Sequence, residues 1–112
     1  MCFFGACSKE TLNEDLIIGK WKLIEVHDAY EGGWVDNRFK NSIIIFNTDK
    51  TVNRNYIECV GEYEIIGDVL NYSFPPCYEE IKSFKMEFEK KNLILTVNKL
   101  CDYACKFKFK KL

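Results

Sequence analysis

Cys59, Cys77, Cys101 and Cys105 are the side chains here with the widest chemical scope. As thiolates they could form a four-sulfur zinc site, and as oxidised pairs they would be two disulfides. The spacing Cys101-x3-Cys105 is loosely tolerable for a metal, but the C-x2-C knuckle of structural zinc sites does not occur. The single histidine, His27, follows Glu25 by two residues. On a strand that spacing puts both on one face, where they could act as an acid–base pair. No G-x-S-x-G turn and no glycine-rich phosphate loop accompanies them, and no nucleophile stands at a defensible distance from a base. The expectation is a protein without catalytic residues, cofactor or metal. Arg54 is the remaining notable group, sharing strand parity with Val52 and Tyr56.

These residues have to be positioned by strands, because the chain alternates apolar and polar residues almost throughout. Strands are expected at 20–27, 42–46, 51–57, 61–66, 69–74, 83–89, 93–99 and 105–110. Turn residues separate them: Asn47-Thr-Asp-Lys50, Gly67-Asp68, Pro75-Pro76 and Lys90-Lys91-Asn92. One face collects Trp21, Leu23, Ile44, Phe46, Tyr63, Tyr72, Phe84, Leu95, Phe107 and Phe109, while the other carries mostly lysine and glutamate. A sheet with one wet face and one aromatic face must cover the aromatic side, as a barrel or a sandwich does; closure also removes the exposed edges. The run Lys106-Phe-Lys-Phe-Lys110 fits this pattern, with lysines in solvent and phenylalanines in the core. With a formal charge of -1 there is no field to attract nucleic acid. At 112 residues, 47% of them hydrophobic, the chain holds one domain and one core.

The first ten residues read differently. Met1-Cys-Phe-Phe-Gly-Ala-Cys7 is apolar and turns polar directly after Cys7, and Phe4-Gly5-Ala6-Cys7 resembles a bacterial lipobox. On that reading residues 1–7 are the remnant of a lipoprotein signal peptide, with Cys7 the lipidated residue. Residues 8–16 are then a polar tether and helical turn, with Asn13 as N-cap and Gly19 closing the turn, and 17–112 form the barrel. No other stretch approaches the ~18 apolar residues of a membrane-spanning helix, so the membrane is reached through the anchor. The location implied is the bacterial cell envelope, on the periplasmic side or at the outer membrane, where disulfides persist.

Gly19-Lys20-Trp21, followed by Ile43-Ile-Ile-Phe46, Asp49-Lys-Thr-Val52, Gly61-Glu-Tyr63 and Gly67-Asp-Val-Leu70, resembles the lipocalin-like domains of small bacterial lipoproteins. The resemblance runs from about Ile17 to the end of the chain. It implies an all-β fold: a single eight-stranded antiparallel up-and-down barrel of the calycin type, preceded by a short helical turn. It also implies that Trp21, the tryptophan of the G-x-W motif, closes the barrel floor. The chain departs from many lipocalins in having no arginine on its last strand to cover that tryptophan.

In an up-and-down barrel alternate loops share one end, so all four cysteines of the domain gather at one rim beside the long segment Asp28–Asn41 and His27. If they form disulfides, Cys101–Cys105 would close the last hairpin and Cys59–Cys77 would join the loops around the neighbouring strands. The Asp28–Asn41 loop would act as a partial lid, with Tyr30 and Trp34 over the mouth. Trp21, Glu25, His27, Trp34, Arg54, Tyr56, Tyr63 and Tyr72 are the expected ligand-binding residues, holding a small hydrophobic or aromatic molecule. The alternative is a filled barrel that acts through its rim loops on an envelope protein, as an interaction or hydrolase-inhibitor module, with Tyr30, Trp34 and Tyr78 exposed.

Overall fold

The computed structural model describes residues 14–28, 32–36, 41–75, 77–98 and 104–112. Residues 14–17 make one helical turn, and nine strands follow: β1 (Gly19–Asp28), β2 (Gly33–Asp36), β3 (Ile43–Phe46), β4 (Thr51–Arg54), β5 (Ile57–Ile66), β6 (Val69–Phe74), β7 (Tyr78–Glu89), β8 (Asn92–Val97) and β9 (Ala104–Lys111). All pairings are antiparallel, in the order β2-β1-β3-β4-β5-β6-β7-β8-β9, and β9 pairs back onto β1. The eight strands other than β2 therefore form a closed barrel. The expected eight-stranded antiparallel up-and-down barrel is present, with one strand more than the sequence indicates.

The inward faces follow the apolar alternation. Trp21, Ile44, Phe46, Val52, Tyr63, Leu70, Tyr72, Phe84, Met86, Leu93, Leu95 and Phe109 are buried in one cluster. Ile17, fully buried, brings the helical turn under this cluster, and its carbonyl accepts a 2.7 Å hydrogen bond from Trp21 Nε1. One end of the barrel is thereby plugged. The β3–β4, β5–β6 and β7–β8 turns lie at this closed end, and Lys50 in the first of them pairs with Glu14 of the helical turn at 3.5 Å.

Gly61 on β5 packs tightly against β4 and β6. A Cβ there would lie 2.7 Å from Phe74 Cδ1 and 2.8 Å from Val52 Cγ1, so the packed wall leaves no room for a side chain.

Two expectations about the wall are corrected. The segment Asp28–Asn41 is not all loop, since Gly33–Asp36 pairs with the outer half of β1 at Glu25↔Asp36 and His27↔Trp34. It lengthens the wall where β3 stops short, and the described part of the segment is no lid. Second, β1 carries a β-bulge. Leu23 faces Phe109, but Glu25 faces Lys108 and Val26 faces Phe107, leaving Ile24 without a partner on β9. Beyond the bulge the side-chain alternation is inverted, so Val26 packs against the core and Glu25 and His27 leave it.

Candidate functional site

Among the described residues, the end of the barrel away from the floor opens into a cavity of about 1050 Å³. Its apolar wall is made by Leu23, Phe84, Leu95, Val97, Phe107 and Phe109, from β1, β7, β8 and β9. Facing them, β4 carries Arg54, which shares the lining with Ser42 just before β3 and Tyr72 on β6. In the closed strand order β4 stands opposite β8, so the cation and the Leu95–Val97 wall lie across the cavity from each other. The volume matches the upper end of the range for small-molecule sites, roughly 300–1,000 Å³, and so does the mix of greasy walls with a few convergent polar groups.

Arg54 faces inward because it follows Val52 on the core parity of β4, opposite Ile44. One Nη donates to Ser42 Oγ at 2.8 Å, and the other lies 3.5 Å from the Tyr72 hydroxyl. Its guanidinium carbon stands 4.9 Å from the ring centre of Tyr56. Its Nε is buried and has no hydrogen-bond partner. Among the described residues no carboxylate pairs with this cation. Ser42 and Tyr72 are 5% and 7% exposed, so the neighbours that hold the guanidinium are themselves largely out of solvent. Burial raises the Tyr72 phenol above the ordinary tyrosine range, and the adjacent Arg54 charge offsets only part of that. The phenol therefore stays a neutral donor at any physiological pH.

The structure sorts the expected ligand-binding residues into three places. Arg54, Tyr56 and Tyr72 line the cavity. Tyr56 does so from the two-residue turn between β4 and β5, 65% exposed, and not from a strand interior. Trp21 and Tyr63 lie in the floor. Trp21 packs 6.1 Å from Phe88, and Tyr63 donates to the Asn47 carbonyl at 2.7 Å and meets Phe46 edge-on. Glu25, His27 and Trp34 are on the outer surface: Glu25 pairs with Lys108 at 3.0 Å, Lys108 lies 4.3 Å over the Trp34 ring, and His27 meets that ring edge-on. Glu25 and His27 do not line the cavity because the bulge at Ile24 turned their stretch of β1 around, and Trp34, paired with His27 from β2, shares that outer face.

Cys59 and Cys77 are joined in a disulfide with Cα atoms 6.1 Å apart, tying the start of β5 to the β6–β7 connection at the open end. That bond takes two of the four thiolates a zinc site would need. Cys105 is also disulfide-bonded. Its expected partner Cys101, the lipidation candidate Cys7 and Tyr30 all lie outside the described residues.

Sequence reasoning missed Ser42 and the wall residues of β7–β9 as site residues. The wall was present in the sequence as inward apolar parity, but parity does not tell filled positions from lining ones. Among the described residues no helix is long and apolar enough to cross a membrane. No family model, no curated protein and no solved structure matches the chain.

Proposed function

We propose that this protein is a binding module of lipocalin-like kind that holds a small hydrophobic or aromatic molecule inside its barrel. The observation that carries the reading is the cavity of about 1050 Å³, open at the end away from the plugged floor and walled by phenylalanine, leucine and valine. A filled barrel working only through its rim would have no use for this space. The setting is the bacterial cell envelope, with Cys7 as the lipid anchor to the membrane. The lipobox-like Phe4-Gly5-Ala6-Cys7 and the Cys59–Cys77 disulfide, a bond that lasts in oxidising compartments, support it.

Titration with the neutral fluorophore N-phenyl-1-naphthylamine tests the reading. Saturable enhancement of its emission, displaced by apolar metabolites and lost in Val97→Trp, which fills the cavity from β8, is the expected result. A folded protein that gives no saturable enhancement with any apolar probe overturns it.

A further inference from the structure

Resting on the binding role proposed above, we infer that the ligand is a monoanionic amphiphile, with a carboxylate head held by Arg54, Tyr72 and Ser42 and an apolar body against β7–β9. An arginine in an apolar cavity is costly unless its charge is matched. Among the described residues the guanidinium has only neutral neighbours: the Ser42 hydroxyl at 2.8 Å, the Tyr72 hydroxyl at 3.5 Å and the Tyr56 ring. The Glu80 carboxylate also lines the mouth, but it is paired with Lys82 at 3.4 Å and is exposed. Two O–H protons remain for a guest, those of Ser42 and Tyr72, whose oxygens accept from the guanidinium, while the buried, unpartnered Arg54 Nε–H leaves the positive charge further uncompensated. A cluster of donors around a single positive charge matches one carboxylate, which accepts several hydrogen bonds and cancels the charge. A dianionic phosphate would leave excess negative charge in a largely apolar space. The head lies on the β4 side, so a chain or ring attached to it extends toward Phe84, Leu95, Val97 and Phe107 on the opposite wall.

The test compares two ligands of equal length, dodecanoate and dodecanol, by calorimetric titration at pH 8, where the carboxylate is ionised and Tyr72 is neutral. The expected result is dodecanoate bound at least ~10-fold more tightly than dodecanol, as a charge-assisted contact implies. Arg54→Gln should bring that ratio close to one, Arg54→Lys should restore part of it, and Tyr72→Phe, which drops one donor and keeps the ring, should lower it several-fold. If dodecanol binds the wild-type protein as tightly as dodecanoate, the anionic head is wrong and the binding role stands. If neither ligand binds, both fall. A ratio that persists in Arg54→Gln and in Tyr72→Phe overturns the placement of the head.

Discussion

The Nζ of Lys111, at the end of β9, lies 5.2 Å from the centre of the Trp21 indole and donates a 2.8 Å hydrogen bond to the Ile18 carbonyl. No arginine stands on β9 to cover Trp21, and Lys111 covers it instead. The cation seals the floor from outside while the Ile17 carbonyl holds the indole N–H from beside it. Replacing Lys111 by alanine should cost about 1 kcal/mol, from one exposed cation–π contact and one hydrogen bond. Lys111→Arg should recover most of the loss. Urea unfolding followed by tryptophan emission reads both, and a Lys111→Ala protein as stable as wild type would show that the contact is idle.

The Cys59–Cys77 bond closes a loop with a sequence separation of 18. Chain-entropy arguments assign a loop of that size about 3 kcal/mol, through constraint of the unfolded chain. The double variant Cys59→Ser/Cys77→Ser should therefore show a lower urea midpoint, with a slope equal to or somewhat above that of wild type because the unfolded chain is released. Because the bond holds the rim around Tyr56 and Ile81, probe affinity should fall as well, measured where the variant is still fully folded. Equal midpoints would mean that β5 and the β6–β7 connection hold together without it.

Much of the fold could be read from the sequence because the apolar alternation on β6 to β9 is nearly unbroken, so only one parity buries Leu70, Tyr72, Phe84, Leu95 and Phe107. Arg54 was visible for the same reason, sitting two residues after Val52. The first strand was ambiguous, since Trp21 and Leu23 are apolar on one parity and Ile24 and Val26 on the other. A bulge at Ile24 keeps Trp21 and Leu23 inward and also brings Val26 against the core, and this one inserted residue moves Glu25 and His27 to the outer surface. Nothing local announces it. The pairing of β9 with β1, contacts roughly eighty residues apart, decides it. The strand at Gly33–Asp36 was hidden likewise, because two adjacent glycines ahead of Trp34 read as loop.

The β7–β8 hairpin carries a correctable strain. Glu89 pairs with Asn92 across a two-residue turn, Lys90-Lys91, in which both residues have positive φ, 50° and 70°. Turns with two left-handed residues favour Asn-Gly, and lysine adopts that region at a cost. Lys90→Asn/Lys91→Gly should stabilise the protein by about 1 kcal/mol, raising Tm by roughly 4–8 °C for a domain of this size. Calorimetry checks it, and an unchanged or lower Tm would place the register of β7 and β8 under other control.

The alkaline limit of stability should be set partly by buried tyrosines. Tyr72 and Tyr63 both have phenols raised above the ordinary value, in each case chiefly by burial. Their folded pKa exceeds the unfolded one, so the folded chain keeps these protons while the unfolded chain releases them. Stability is complete below about pH 10, the unfolded value, and declines as pH rises from there through the raised folded values. Tyr63→Phe/Tyr72→Phe should be less steeply destabilised between neutral and alkaline pH than wild type, measured as urea midpoints. Parallel curves would remove the tyrosines as the cause.

The bulge in β1 gives a sharp division between residues that should and should not affect binding. Glu25, His27 and Trp34 form an outer cluster with Lys108, and none of them borders the cavity. Glu25→Ala and His27→Ala should therefore leave affinity for N-phenyl-1-naphthylamine within about two-fold of wild type, under ~0.5 kcal/mol. Phe107→Ala, on β9 opposite the post-bulge Val26, removes apolar wall and should weaken the same probe by about ten-fold, given the area a ring contributes. The two sets sit within a few residues of each other, so a fold-level defect would not separate them. Affinity that falls with His27 or Glu25 and not with Phe107 would mean that β1 runs without its bulge when a guest is bound, with its polar residues facing the interior.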